Sequence, residues 1–363
     1  MKIHLCLISS QLIPNLIPLF KQTLRPNAVI CLVSPDMQEV FQNFRSILAK
    51  ERIEVIEKTI SPLDWKDCED KILSITEEYQ DHELILNSTG GTKIMAFAAY
   101  EIFRKKKLEI LYVDTQNSKI LCYKGDRIHE INFTNEINTD YYLMCYGQEI
   151  SSFQNYSEKY NFDYSNLLKI KKDKWKYFYK RIQNYQNHKD YPLELDYSNG
   201  YEAIIDFFES KNILLKKKGN QISFPNKESY TFVTGGWLES YLYFTLIRVL
   251  KDSGAEILSR VQVKGKAGSN EYDVTVMYHN RLYLFECKSG SLSLKNKSTE
   301  RSDDTVYKLF SLIKSSGLFA NGILFSHQKL RSQDRTRANN YGIKILDNTE
   351  SPEEDLSSLW KIF

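Results

Sequence analysis

NEYDVTVMYHNRLYLFECKSG, residues 270–290, is the stretch on which the reading of this chain turns. Residues 272–278 are rich in Val, Thr and Tyr, and residues 282–287 in Tyr, Leu and Phe, with His279-Asn280 between them. That pattern predicts two β-strands joined by a short turn. Glu286 and Lys288 stand two apart on the second strand, so their side chains leave the same face. Asp273 lies on the first strand and comes near Glu286 across the ladder of such a hairpin. Two carboxylates and an ammonium thus gather at one end of a largely apolar sheet. Carboxylates in that position are costly to bury unpaired, and a divalent cation is their natural partner. A salt-bridged surface hairpin is the other reading these residues allow.

The spacing Asp273-x12-Glu286-x-Lys288 resembles the active-site core of the PD-(D/E)xK nuclease superfamily. The resemblance implies that Asp273 and Glu286 hold Mg²⁺ or Mn²⁺ and that Lys288 orients or activates the attacking water. The neighbouring sequence fits. WLESYLYFTLIRVL, residues 237–250, is apolar nearly all round and predicts a buried helix. Glu239 inside it needs a partner, which a cation at Asp273 and Glu286 would supply; a structural Glu bonded to a Lys or Tyr is the alternative. The superfamily often carries a Glu on the helix before the Asp strand, a place that Glu239 matches. A hard cation wants oxygen ligands, so the expected set is Asp273, Glu286, the Cys287 carbonyl and Glu239, direct or through water. After the hairpin come a helix over 304–315, a strand over 322–325, a polar helix over 333–340 and a strand over 343–346, the order expected of that core. Lys308 matches a basic residue often placed on the helix after the E-x-K strand. Lys295, Lys297 and Arg301 read either as phosphodiester contacts or as solvated loop residues.

Composition bounds what else the chain can be. Its 363 residues favour two domains, and 42% hydrophobic with 26% charged residues describes a soluble globular protein. A net charge of +3 permits nucleic-acid binding without requiring it. The 24 tyrosines suit base stacking and strand surfaces equally. Six scattered cysteines lack any C-x-x-C pair, and the six histidines lack zinc-ligand spacing, which suits reduced thiols in a cytoplasmic protein. Residues 3–10 are too short and too quickly polar for a signal peptide, and no apolar run approaches a membrane span.

Residues 1–148 alternate strand and helix signals: strands at 3–8, 28–33, 54–56, 82–87 and 109–113, helices at 14–24, 37–49, 65–79 and 93–104. Ser34 is a capping candidate for the second helix. Runs 122–123 and 128–133 look like late, antiparallel additions. The alternation implies a parallel sheet covered on both faces, a Rossmann-like domain whose ligands gather at the strand carboxyl ends. Two strand-to-helix junctions stand out there, ISSQLIPN (8–15) and NSTGGTK (87–93). Gly90 and Gly91 permit φ > 0 and close approach of the backbone to a ligand, and Lys93 adds charge at a helix N-terminus facing an anion. The spacing is neither a Walker loop nor G-x-G-x-x-G; a tight turn with a solvated Lys is the plainer reading.

The pair S-S-Q-x-x-P-N and N-S-T-G-G-T-K-x-M resembles the CARF domain, the CRISPR-associated Rossmann fold. The resemblance implies a homodimer with a pocket for a cyclic oligoadenylate on its two-fold axis. It assigns Ser10, Gln11 and Asn15 to the first loop of that pocket, and Asn87, Thr89, Gly90, Gly91, Thr92 and Lys93 to the second.

Between the two halves, residues 169–181 (KIKKDKWKYFYKR) are basic with interleaved aromatics. Trp175, Phe178, Ile182 and Tyr185 recur at helical spacing, which favours a packed amphipathic helix over a nucleic-acid patch. A helix over 201–209 and a hairpin with a basic tip at Lys216-Lys217-Lys218 could be half of a winged-helix module. The expected fold class is α/β. An N-terminal Rossmann-like CARF domain (1–148) is joined through a mainly helical connecting region (149–234) to a C-terminal restriction-endonuclease-like domain (235–363). Together the halves resemble the single-CARF nucleases of type III CRISPR systems. That resemblance implies activation by cyclic oligoadenylate, typically cyclic tetra-adenylate, and cleavage or nicking of DNA, in some members also of single-stranded RNA, without sequence preference. The alternatives are a CARF-type transcription regulator and a repair or restriction nuclease unconnected with CRISPR.

Overall fold

The structure is a computed structural model and describes residues 1–170, 172–182, 185, 190–196, 200–266, 268–290, 301–347 and 352–361. It divides into two compact units: Met1–Ile150 with Val263–Ser269 and Met277–Leu282, and Ser151–Gln262 with Asn270–Val276 and Tyr283–Phe363.

In the first unit the order is β1 (Lys2–Leu7), α1 (Ile13–Phe20), β2 (Ala28–Val33), α2 (Gln38–Lys50), β3 (Glu54–Thr59), α3 (Trp65–Glu78), β4 (Glu83–Asn87), α4 (Lys93–Lys105), β5 (Glu109–Asp114), β6 (Lys119–Lys124), β7 (Arg127–Asn132) and α5 (Thr139–Met144). The sheet runs β3-β2-β1-β4-β5-β6-β7. Its first five strands are parallel, and β6 and β7 add on antiparallel. β2 is apolar throughout and β1 largely so, and both are buried nearly along their whole length, as strands covered on both faces must be. The chain reverses its winding between β1 and β4, which are neighbours, so the loops after them share one crevice at the carboxyl edge. Ser34 makes no side-chain capping bond; Pro35 opens a 3-10 turn there, and its missing N–H removes one of the donors that a cap would serve.

The second unit is built from β8 (Glu149–Ser152), α6 (Ser165–Leu168), α7 (Lys172–Ile182), β9 (Leu193–Asp196), α8 (Glu202–Ser210), β10 (Leu215–Lys217), β11 (Gln221–Phe224), α9 (Lys227–Thr231), α10 (Trp237–Val249), β12 (Glu256–Gly265), β13 (Gly268–Tyr278), β14 (Arg281–Lys288), α11 (Arg301–Ser315), β15 (Ala320–Ser326), α12 (Ser332–Asn340), β16 (Lys344–Asp347) and α13 (Pro352–Lys361), with some strand ends belonging to the first unit. Its main sheet runs β16-β15-β14-β13-β12-β8. Two of these strands, β8 and β12, are additions that the sequence reading passed over.

β13 and β14 form the hairpin, with His279 at φ 50° and Asn280 at φ 56°. Positive φ at both turn residues is the twist-matched two-residue hairpin turn, and Asn tolerates it. Asn280 is also tied down by its side chain: Oδ1 accepts from the amides of Glu136 (2.9 Å) and Ile137 (2.8 Å), and Nδ2 donates to Thr134 O (2.8 Å). Counting back from that turn places Asp273 across from Glu286.

α7 is the packed helix rather than a nucleic-acid patch. Trp175, Phe178 and Ile182 are buried, and the Trp175 ring stacks on Tyr179 (5.3 Å between centroids) and on Trp237 of α10 (5.0 Å). The Trp237 indole donates to the Tyr179 hydroxyl at 2.8 Å. α10 is buried along most of its length, so this aromatic stack anchors the helix that carries Glu239. The hairpin of β10 and β11 has part of its basic tip paired: Lys216 with Asp206 and Glu209, and Lys217 with Glu194 at 3.7 Å, while Lys218 is exposed. Pairing two of three lysines with the domain's own carboxylates weakens the wing as a phosphate binder.

Truncating Trp175 to Ala removes a fully buried ring from this stack. The expected cost is about 3–5 kcal/mol, read as a lowered unfolding midpoint in denaturant; an unchanged midpoint would mean the stack contributes no stability.

Candidate functional sites

In the first unit the two junction loops are held by two buried amides. Asn15 Nδ2 donates to Leu7 O (3.1 Å), the last residue of β1, and Asn87 Nδ2 donates across to Pro14 O (3.0 Å). Asn87 Oδ1 accepts from the Thr89 amide (3.1 Å), and Thr89 Oγ1 accepts from the Val113 amide (2.8 Å). Asn15 and Asn87 are both completely buried. They set the loops, leaving other groups to face a ligand. Thr92 caps α4, accepting from the Met95 amide (3.2 Å) while its hydroxyl donates to Pro62 O (2.6 Å).

The glycines also serve the packing of the loop itself. Gly91 does take a positive φ, 73°, but what presses on both glycines is the end of β1. A Cβ on Gly90 would lie 2.2 Å from Leu7 O, and one on Gly91 2.8 Å from Leu7 Cβ. Their smallness lets the loop they sit on pack against the end of β1. Ser10 and Lys93 are exposed and Gln11 half-buried, with Gln11 Oε1 accepting from the Tyr146 hydroxyl at 3.4 Å. Lys93 sits in the first turn of α4, where free amides and the helix dipole favour an anion.

In the second unit Glu286 is only 4% exposed, and both of its oxygens are engaged by ammonium groups. Lys288 Nζ lies 2.6 Å from Oε1, and Lys308 Nζ, reaching in from α11, lies 3.2 Å from Oε2. Burial works to raise the Glu286 carboxyl, but Lys288 and then Lys308 hold it below the usual value. Lys288 is itself raised, because Glu286 and Asp273 outweigh its own burial. Asp273 has the opposite balance. Burial, then Glu286 and Glu239, push it well above the ordinary range, against Lys288 and a 2.7 Å bond from the Cys287 amide to Oδ2. Glu239 is raised by burial too, opposed first by its hydrogen bond from Tyr156.

Two desolvated acids beside a third that already binds two cations form a set short of positive charge. All three offer the hard oxygen ligands that Mg²⁺ or Mn²⁺ takes, so the residues fit such an ion. Cys287 is unsuited as a nucleophile, since burial, then Asp273 and Glu239, push its thiol well above the ordinary range. Lys295 and Lys297 lie outside the described residues, and of Arg301 only the helical backbone is described.

Sequence reasoning missed Tyr156 and Arg260. The Tyr156 hydroxyl donates to Glu239 Oε2 at 2.9 Å, and the Arg260 guanidinium lies 4.3 Å over the Tyr156 ring. Arg260 holds φ 50° within β12, a costly backbone for a long side chain. With Tyr160, Phe232, Glu239 and Glu271 these two line a cavity of about 300 Å³. Only the run of tyrosines after residue 150 hinted at it, and nothing in that run names a partner.

Residues 3–142 match the family model of the Card1 CARF domain, and residues 226–358 that of the Card1-like endonuclease domain. Among solved structures, the chain is similar to Can2 from Sulfobacillus thermosulfidooxidans in complex with cyclic tetra-adenylate, with 25% identity, a TM-score of 0.81 and 98% of each chain covered. It also shares its fold with VC1899 from Vibrio cholerae (21% identity, TM-score 0.84, 99% of this chain and 97% of that one). A type III CRISPR defence DNA nuclease activated by cyclic oligoadenylate shares the fold more loosely (16% identity, TM-score 0.58, 91% of this chain and 46% of that one). A search among proteins of curated function found no match to the sequence.

If Tyr156 orients Glu239 for a cation, Tyr156→Phe should weaken Mn²⁺ binding about 10–100-fold, as loss of a partner behind a metal ligand does. Calorimetric titration measures it, and an affinity equal to that of the unsubstituted chain would remove Tyr156 from the site.

Proposed function

Since a chain whose two halves are a Card1 CARF domain and a Card1-like endonuclease domain belongs to the Card1-like CARF nucleases, we propose that it is a metal-dependent nuclease of type III CRISPR defence, switched on by a cyclic oligoadenylate. The observation that carries the reading is the charge pattern at Glu286. A buried carboxylate is clamped by Lys288 and Lys308 beside two desolvated acids, Asp273 and Glu239. A salt bridge serving stability alone has no use for the two further acids. The likeness to Can2 over 98% of both chains supports cyclic tetra-adenylate as the activator.

Asp273 and Glu286, with the Cys287 carbonyl and Glu239, would hold Mg²⁺ or Mn²⁺. When bound, such an ion acidifies a coordinated water and stabilises the charge that builds on the scissile phosphate. Lys288, 2.6 Å from Glu286, is placed to orient the attacking water or to offset the pentavalent phosphate charge. Lys308 brings a second positive group to the same carboxylate. The substrate is DNA, with single-stranded RNA as a further class, cut without sequence preference.

The activator enters at the crevice of β1 and β4, facing Ser10, Gln11 and Lys93, while Asn15, Asn87, Thr89, Gly90, Gly91 and Thr92 shape the loops. A ring with repeated phosphates suits a two-fold site with paired helix N-termini. A homodimer follows, and α4 has a face for one: Phe97 is 62% and Tyr100 41% exposed, one helical turn apart and in line with Lys93. Activation is a differential-affinity switch, the ring binding better to the form in which the endonuclease is competent. Among the described residues no helix is long and apolar enough to cross a membrane; the six cysteines are free, which accords with a cytoplasmic setting.

Supercoiled plasmid, single-stranded DNA and single-stranded RNA, each with Mg²⁺ or Mn²⁺ and cyclic oligoadenylates of different ring size, test the reading directly. Cleavage only with one ring size is expected; none under any combination overturns the nuclease, and cleavage indifferent to activator overturns the switch. Glu286→Ala should lower cleavage by at least about a thousandfold while activator affinity stays unchanged; loss of both would make Glu286 structural. Phe97→Asp should convert the dimer to monomer in light scattering, and a dimer that persists places the interface elsewhere.

A further inference from the structure

A second cluster of chemistry-bearing residues lies in the first unit and plays no part in the reading above. Leu111 of β5 pairs with Cys122 of β6, and Cys122 with His129 of β7. Glu109, two residues before Leu111, shares that face of the sheet. Three antiparallel neighbours thus bring a carboxylate, a thiol and an imidazole to one spot, with donor atoms all within 4.8 Å of one another. We propose that Glu109, Cys122 and His129 form a zinc site on this sheet, separate from the endonuclease site and from the β1–β4 crevice.

The second observation is that the three donors are only weakly engaged by other groups. The Glu109 side chain is only 14% exposed, yet the nearest cation is Lys124 Nζ at 3.8 Å, too far for a good hydrogen bond. The Cys122 sulfur is buried and reaches Ile120 O only at 4.0 Å. Among the described residues the His129 imidazole makes no hydrogen bond or ion pair. A mostly buried carboxylate whose cation stands at 3.8 Å is poorly compensated, and one bound metal ion would satisfy all three groups at once.

The donor set selects the ion. One sulfur, one nitrogen and one oxygen suit borderline Zn²⁺ and disfavour Mg²⁺ and Mn²⁺, which prefer oxygen throughout. Ligand atoms on a tetrahedral zinc stand about 3.3–3.8 Å apart, so closing the set takes side-chain rotations of about an ångström. Lys124, 60% exposed, is free to swing away. Binding forms a metal–sulfur bond as the thiol proton leaves to solvent, and exposed His129 provides the way in. Water fills the fourth position, and the ion would cross-link β5, β6 and β7.

The test titrates the full chain, reduced and freed of metal, with Co²⁺ alone. The expected result is a thiolate-to-cobalt absorption in the near ultraviolet with tetrahedral bands in the visible, both lost when one equivalent of Zn²⁺ is added. Cys122→Ser should abolish the near-ultraviolet band, His129→Ala should weaken Co²⁺ at least about tenfold as loss of one ligand does, and Glu286→Gln should leave the band in place. Absence of the band, or its survival in Cys122→Ser, overturns the proposal. Should Cys122→Ser fail to fold, exposed His129 decides: unchanged Co²⁺ affinity in His129→Ala overturns it equally.

Discussion

A carboxylate taken out of water must be met by positive charge or kept protonated, and that constraint organises the endonuclease half of this protein. Glu286 is buried on β14 and stays below its usual pKa because Lys288 and Lys308 reach it from two elements. Among the described residues Asp273 and Glu239 have no such contact, and burial pushes both upward. Even here the available donors are spent on them: the Cys287 amide turns to Asp273 and the Tyr156 hydroxyl to Glu239. Replacing one of these acids by an apolar residue would relieve the strain, so their joint presence speaks for chemistry over stability.

The scaffold that holds these acids is mostly aromatic. Trp175, Tyr179 and Trp237 stack, and Tyr156, Tyr160 and Phe232 continue the layer beside Glu239. Large rings fix a helix such as α10 through few rotamers, and the Tyr156 and Tyr179 hydroxyls give that layer polar ends where it needs them. Tyr156, Tyr160, Trp175, Tyr179 and Phe232 bring the region before α10 into this layer, although in sequence it shows no motif of its own. The abundance of tyrosine thus finds a use in packing and in hydrogen bonding at the site.

In the first unit the equivalent burden falls on amides and glycines. Asn15 spends its donor on the last carbonyl of β1 and Asn87 on a carbonyl of the facing loop, and Gly90 has no room for a Cβ beside Leu7 O. The loops are therefore set before any ligand arrives, which lowers the ordering cost of binding. An activator site shaped in this way depends on residues that do not themselves face the ligand.

Local pattern was enough to determine much of this protein. Alternating apolar strands and amphipathic helices specify the parallel sheet of residues 1–148, because period and burial are properties of a short window. The two-residue turn at His279-Asn280 specifies the register that sets Asp273 toward Glu286, since an Asn in that turn accepts positive φ. What only the tertiary structure decided were relations between residues far apart in the chain: Lys308 on Glu286, Tyr156 on Glu239, Leu7 against Gly90, and the acids that neutralise Lys216 and Lys217. Each rests on a distance of a few ångströms between side chains separated by up to 83 positions. A single sequence carries the residue types that make such contacts possible, while the packing of the elements chooses which of them are made.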